Sequence, residues 1–154
     1  MTTSKQPVRV FVSDEHPLLL DTFERCASES GFEVVGTSLS LGVENVAARI
    51  DASAPDVVII GRRTLDPSWM ADLGARLGSS QTTRMLLLCG TCPVGFDEGI
   101  RNLLHRWSAG LALLPIHAIA TAEDFAAVVR QVYDGRIVMD TGGGGGDAAR
   151  QREI

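Results

Sequence analysis

Little in this 154-residue chain is aromatic, and almost none of its positive charge is lysine. Aromatic residues make up 5% of the sequence, so its core is expected to be aliphatic. Lys5 is the only lysine among 14 basic residues, and the formal net charge is −5. A domain that grips nucleic acid carries a basic patch. The only short one here is Arg62–Arg63, so binding of nucleic acid by these residues alone is not expected. No apolar run approaches the roughly 18 residues of a membrane span, and the polar start Met1–Gln6 does not read as a secretory leader. Cysteine is scarce and odd in number (Cys26, Cys89 and Cys92). That pattern argues for a reducing cytoplasm rather than a disulfide scaffold. No Ser–His–Asp set and no H-E-x-x-H stretch is visible, so no catalytic residue, no metal site and no cofactor is assigned, and the chain is not expected to be an enzyme. The arginine bias, with abundant Ala, Gly and Val, suggests a GC-rich bacterial genome.

What is present is alternation. Short apolar runs at Val8–Ser13, Phe32–Val35, Asp56–Ile60, Arg84–Cys89 and Leu111–Leu114 read as buried strands. Helical periodicity follows each of them. Pro17 opens a helix through Glu29, since proline fits a first helical turn. Ser40–Asp51 carries Val43, Val46, Ala47 and Ile50 on one face, and Ser68–Leu77 is weaker because of Gly74. Ile100, Leu103, Leu104 and Trp107 mark a fourth helix. A fifth follows Thr121, with Asp124 placed for a capping box. Five strands alternating with helices imply a parallel sheet covered on both faces. Right-handed crossovers make a doubly wound sheet the simplest solution. Ligands of such sheets bind beyond the carboxyl ends of the strands, so the residues just after each strand deserve inspection.

Those residues are Asp14 and Glu15 after the first strand, Gly61 after the third, Cys89 after the fourth and Pro115 after the fifth. The stretches "VRVFVSDEHPLLLDTF", "GFEVVGTS", "PDVVIIGRRTLDP", "TRMLLLCG" and "ATAEDFAAVVRQVYDG" resemble the receiver domain of NarL/FixJ-type response regulators. The resemblance spans about residues 7–139. It implies a flavodoxin-like (βα)5 fold, a five-stranded parallel sheet in the order 2-1-3-4-5. Gly142–Gly146 lies in a flexible linker, 140–147. The terminal "ARQREI", within 148–154, is similar to the opening of a LuxR-type helix-turn-helix domain, so a DNA-binding domain is expected to begin there and to carry any contact with DNA.

In the family, two acids after strand one and an aspartate after strand three hold Mg²⁺, and that aspartate accepts the phosphoryl group. A Thr or Ser after strand four and a Lys after strand five contact its oxygens. Here Asp14 and Glu15 keep the acid pair. The acceptor position is Gly61, the hydroxyl position is Cys89, and the lysine position falls on or near Pro115. Without a carboxylate at position 61 there is no aspartyl phosphate, and two carboxylates alone hold Mg²⁺ weakly. Asp56 sits at the wrong end of its strand to substitute, and Asp66 is displaced into a loop.

The resemblance therefore implies an atypical, phosphorylation-independent response regulator, a homodimer whose receiver controls DNA binding. Family receivers often pair through the fourth helix, fifth strand and fifth helix, here about 97–134. Two adjacent acids repel unless a cation is near. Arg62 or Arg63 is expected to replace the metal; the bland reading leaves both in solvent. A small-molecule effector is the alternative signal, as is thought for some atypical receivers of antibiotic-producing actinobacteria. It would enter a crevice near Trp69, Gly90, Thr91 and Cys92. A constitutive interaction module without ligand remains a further reading. So does a redox site, because Cys89 and Cys92 form a C-x-x-C between a strand and a helix.

Overall fold

The computed structural model describes residues 6–39, 42–64, 67–77, 83–91 and 109–139. The helix expected around Ile100–Trp107, together with Cys92, Asp66, the linker 140–147 and the segment 148–154, lies outside the described residues.

Strand β1 (Arg9–Asp14) is buried along almost its whole length. Helix α1 (Pro17–Glu29) follows after a two-residue turn. The remaining elements are β2 (Glu33–Ser38), α2 (Val43–Ser53), β3 (Val57–Thr64), α3 (Pro67–Leu77), β4 (Arg84–Thr91), β5 (Leu111–Pro115), a 3₁₀ turn at Ile116–Ala118, α4 (Ala122–Tyr133) and β6 (Ile137–Met139). Every strand pairing is parallel. Among the described residues the sheet has six strands in the order β2-β1-β3-β4-β5-β6. The expected order 2-1-3-4-5 is therefore present and extended by one strand. The extra strand went unread because Ile137–Met139 is too short for a periodic signal, and only its pairing with Leu111–Leu113 defines it.

Alternation along each strand sends side chains to opposite faces. One face, with Phe11, Val58, Ile60, Met85, Leu87 and Cys89, packs under α2 and α3. The other, with Val10, Val12, Val57, Ile59, Leu86 and Leu88, packs under α1 and α4. Each fully buried aliphatic side chain of this kind contributes about 1.5–3 kcal/mol. Two of the scarce aromatics meet in this second face: Phe23 of α1 stacks on Phe125 of α4 at 5.9 Å between centroids. Helix α4 starts as its sequence suggests, with a reciprocal capping box between Thr121 and Asp124.

Three boundaries depart from the sequence reading. Strand β2 does not stop at Val35 but runs on through Gly36, at a register shift that skips Val35. A Cβ at Gly36 would press on the Phe11 ring. Strand β3 does not stop at Ile60, and β4 does not stop at Cys89. The two continue as a ladder through Arg62↔Cys89 and Thr64↔Thr91. Gly61, Cys89, Gly90 and Thr91 are consequently strand residues rather than loop residues. Gly90 permits the continuation, since a Cβ there would come within 2.9 Å of the Arg63 carbonyl oxygen.

Candidate functional site

Asp14 ends β1 and pairs directly with Gly61 in the sheet register. It is buried, at 2% exposure. Its Oδ1 accepts a hydrogen bond from the His16 backbone N–H at 2.7 Å. His16 is the N-cap of α1, and its Nδ1 accepts from the Leu18 N–H at 3.2 Å. Asp14 thus fixes the residue that starts the helix. Its other oxygen, Oδ2, sits over Gly61, where a Cβ would collide with it. Burial pushes the Asp14 carboxyl pKa up; the His16 N–H opposes this, and the Glu15 charge adds to the rise.

Glu15 turns the other way. Its Oε2 accepts from the Arg63 backbone N–H at 3.1 Å, tying the β1–α1 turn to the extended end of β3. Arg62 and Arg63 follow alternate faces of that strand. The Arg62 guanidinium lies over the Trp69 ring of α3, 4.4 Å from its centroid. Neither guanidinium lies within ion-pair distance of Asp14 or Glu15 among the described residues. The expectation that an arginine replaces the metal by direct pairing is therefore corrected. Arg62 stacks on an indole, and Arg63 reaches Glu15 through its main chain. The Arg63 charge still lowers the Asp14 pKa, as the last of its influences.

Asp14, Glu15, His16 and Leu19 from the first strand and helix, Arg62 and Arg63 from β3, Gly90 from β4 and Ile116 enclose a cavity of about 110 Å³. Small-molecule pockets run to about 300–1,000 Å³, so this one suits an ion or a few waters. Cys89 does not line it. Its Sγ is buried in the α2–α3 core and donates to the Leu114 carbonyl at 3.7 Å. Pro115 pairs opposite Cys89 and is buried in β5. The next residue, Ile116, which opens the 3₁₀ turn after β5, lines the cavity instead and supplies an apolar wall where the family pattern has a lysine. Ile116 and Leu19 were not singled out in the sequence; the one-residue offset from Pro115 was the available signal for Ile116. Trp69 packs partly against the α2–α3 core and Arg62 rather than lining the cavity. Asp56 stands at the start of β3 and accepts from the Arg9 backbone N–H, far along the strand from the acid pair. No cluster of metal-ligating side chains occurs among the described residues.

Comparison with solved structures fits this geometry. The signal receiver domain of NarL from Mycobacterium tuberculosis superposes with a TM-score of 0.64 at 26% identity, over 86% of this chain and all of that one. The chain has the receiver fold. A LuxR-family two-component response regulator from Aurantimonas sp. SI85-9A1 gives a TM-score of 0.61 at 13% identity, over 84% of this chain and 87% of that one. The isolated REC domain of RcsB from Salmonella enterica serovar Typhimurium, solved with a beryllofluoride phosphomimetic, gives 0.64 at 10% identity, over 87% and 94%. No protein-family model and no curated protein matches the sequence. Its structural neighbours thus include receiver domains of NarL- and LuxR-type regulators as well as CheY-like ones. Among the described residues, no helix is long and apolar enough to cross a membrane.

Proposed function

We propose that this receiver regulates a transcription factor without being phosphorylated. The observation that carries the reading is the packing of Asp14 on Gly61. The place of an acceptor side chain is held by the Asp14 carboxylate itself, against bare backbone. An aspartyl phosphate needs a carboxylate nucleophile, and position 61 offers none. Ile116 and the buried Cys89 supply neither a cation nor a strong hydroxyl donor to hold phosphoryl oxygens. The two acids are instead engaged with the His16 and Arg63 main chain.

The small cavity favours control through protein contacts over a metabolite-sized effector. A redox role has little support: Cys89 is a core residue, and burial followed by the Glu29 charge pushes the Cys26 thiol pKa up, away from reactivity. The domain acts, on this reading, as a fixed regulatory module for DNA binding carried elsewhere in the protein. Thermal unfolding with Mg²⁺ and beryllofluoride tests it. The melting temperature is expected to stay unchanged. A rise with both together, beyond that with either alone, contradicts phosphorylation independence.

A further inference from the structure

Two side chains near the carboxyl end of β3 hold buried N–H groups that no described residue accepts. Arg62 Nε and Nη1 and Trp69 Nε1 are each sealed from solvent without a hydrogen-bond partner. The two side chains touch, with the guanidinium 4.4 Å from the indole centroid. Guanidinium and indole nitrogens only donate, so neither satisfies the other. A further atom of this kind, Ser13 Oγ, is fully buried in β1. Phe11 of the same strand packs on the α2–α3 core, so alternation puts Ser13 on that face too. Ser13 pairs with Ile60, and Arg62, two residues on, is its diagonal neighbour, within reach of a long side chain.

The charge of Arg62 is also unbalanced among the described residues. The acids of the helices on this face, Glu44 of α2 and Asp72 of α3, both go to Arg76, at 3.1 and 3.8 Å. Buried donors in folded proteins are almost always satisfied, by protein, water or an ion. Here a cation and an indole N–H, with a hydroxyl beside them, call for one partner, an acceptor that carries negative charge.

We propose that Arg62 and Trp69, with Ser13 beside them, bind a small carboxylate. The guanidinium supplies one positive charge, which a carboxylate monoanion balances through charge-assisted hydrogen bonds and a phosphate dianion exceeds. The indole face fixes the guanidinium plane, and Nε1 adds a donor from a second direction. Trp69 is the third residue of α3, whose first turn carries no acid, so the positive end of that helix adds to the attraction. The cavity lined by Asp14 and Glu15 repels such a ligand, which places the site on the α3 side of β3. It uses none of the family's phosphorylation positions, so it is independent of whether the domain is phosphorylated.

The test is titration of the full chain with sodium acetate at constant ionic strength, followed through the indole N–H signals in ¹H–¹⁵N NMR spectra. The chain has two tryptophans, and the signal missing from Trp69→Phe is that of Trp69. This signal is expected to move saturably, with half-saturation at about 1 mM, since a four-atom probe binds weakly. Sodium phosphate is expected to leave it in place. Arg62→Met deletes the charge and both sealed donors and is expected to weaken acetate binding by about tenfold or more. Trp69→Phe keeps a ring under the guanidinium but no donor, and calorimetry is expected to show binding about tenfold weaker. A Trp69 signal that acetate does not move overturns the proposal, since water then satisfies these donors. So does native acetate affinity in a folded Arg62→Met or Trp69→Phe chain, or binding of phosphate in preference to acetate.

Discussion

The packing of Asp14 on Gly61 can be measured by adding one methyl group. A Cβ at position 61 meets Asp14 Oδ2 at a clash distance and Asp14 Cγ at 3.1 Å, whereas Phe23 Cε2 at 3.4 Å is an ordinary contact. Overpacking a filled site costs about 1–3 kcal/mol, so Gly61→Ala is expected to destabilise by about 2 kcal/mol. With a urea slope of about 2 kcal/mol per molar, the unfolding midpoint falls by about 1 M. In an Asp14→Ala background the colliding carboxylate is gone. Gly61→Ala then becomes neutral or stabilises by about 0.4–1 kcal/mol, because alanine restricts the unfolded chain more than glycine does. The cycle isolates a coupling of about 2–3 kcal/mol between the two positions, within the range for residues in contact. Equal costs of Gly61→Ala in both backgrounds would refute the claim that Asp14 occupies the acceptor's place. The same logic extends to Gly61→Asp, which sets three carboxylates in one crevice. It should be less stable than Gly61→Ala without metal and recover on adding Mg²⁺, while the native chain does not respond.

Three further expectations follow from the site and its frame. The folded pKa of Asp14 is raised, so the native state binds this proton more tightly than the unfolded chain does. That contribution is complete below the ordinary value of 3.8 and is lost as pH rises through the folded pKa. Asp14→Asn keeps an oxygen for the His16 N–H and removes this loss, so its stability should fall less with rising pH and exceed the native value at pH 7; parallel urea profiles would contradict it. Trp69→Ala removes the surface under the Arg62 guanidinium and should cost at least the roughly 0.5–1 kcal/mol of an exposed cation–π contact plus lost packing, with Trp69→Phe recovering part of it in thermal unfolding. Thr121→Ala deletes one half of the α4 capping box and should cost about 1 kcal/mol, read by the same melts.

The sequence reading succeeded where a local rule had one physical outcome. Pro17–Glu29 is helical over the residues that the Pro17 signal and the apolar spacing suggest, and Thr121–Asp124 caps α4 because serine-like and acidic side chains three apart satisfy each other's backbone donors. It failed where the outcome depended on a neighbour. The continuation of β3 past Gly61 needs β4 alongside, and that approach needs Gly90 against the Arg63 carbonyl. No periodicity in "GRRT" announces it. The charges of Arg62 and Arg63 made an ion pair the natural expectation, but strand alternation sends Arg62 to the α3 side, where Trp69 offers a π face. The acid pair itself was legible, whereas its orientation was not, because the direction of Asp14 is set by the empty space over a glycine 47 residues later.

The extended strands also account for what two acids do in a site with no acceptor. A carboxylate pair that served only a metal would be a liability without one, since burial and mutual repulsion both disfavour its charge. Here each acid has a different main-chain donor. Asp14 holds the His16 N–H at the start of α1, and Glu15 holds the Arg63 N–H at the part of β3 that runs beyond Gly61. The second bond exists only because β3 continues as a strand; a chain that turned away after Gly61 would carry the Arg63 N–H elsewhere. Hydrogen bonds to charged groups contribute about 1.5–3 kcal/mol, enough to offset part of the cost of keeping Asp14 buried. The pocket is thus a set of contacts joining β1, α1 and β3, in which each acid gives one oxygen, Asp14 Oδ1 and Glu15 Oε2, to a main-chain donor.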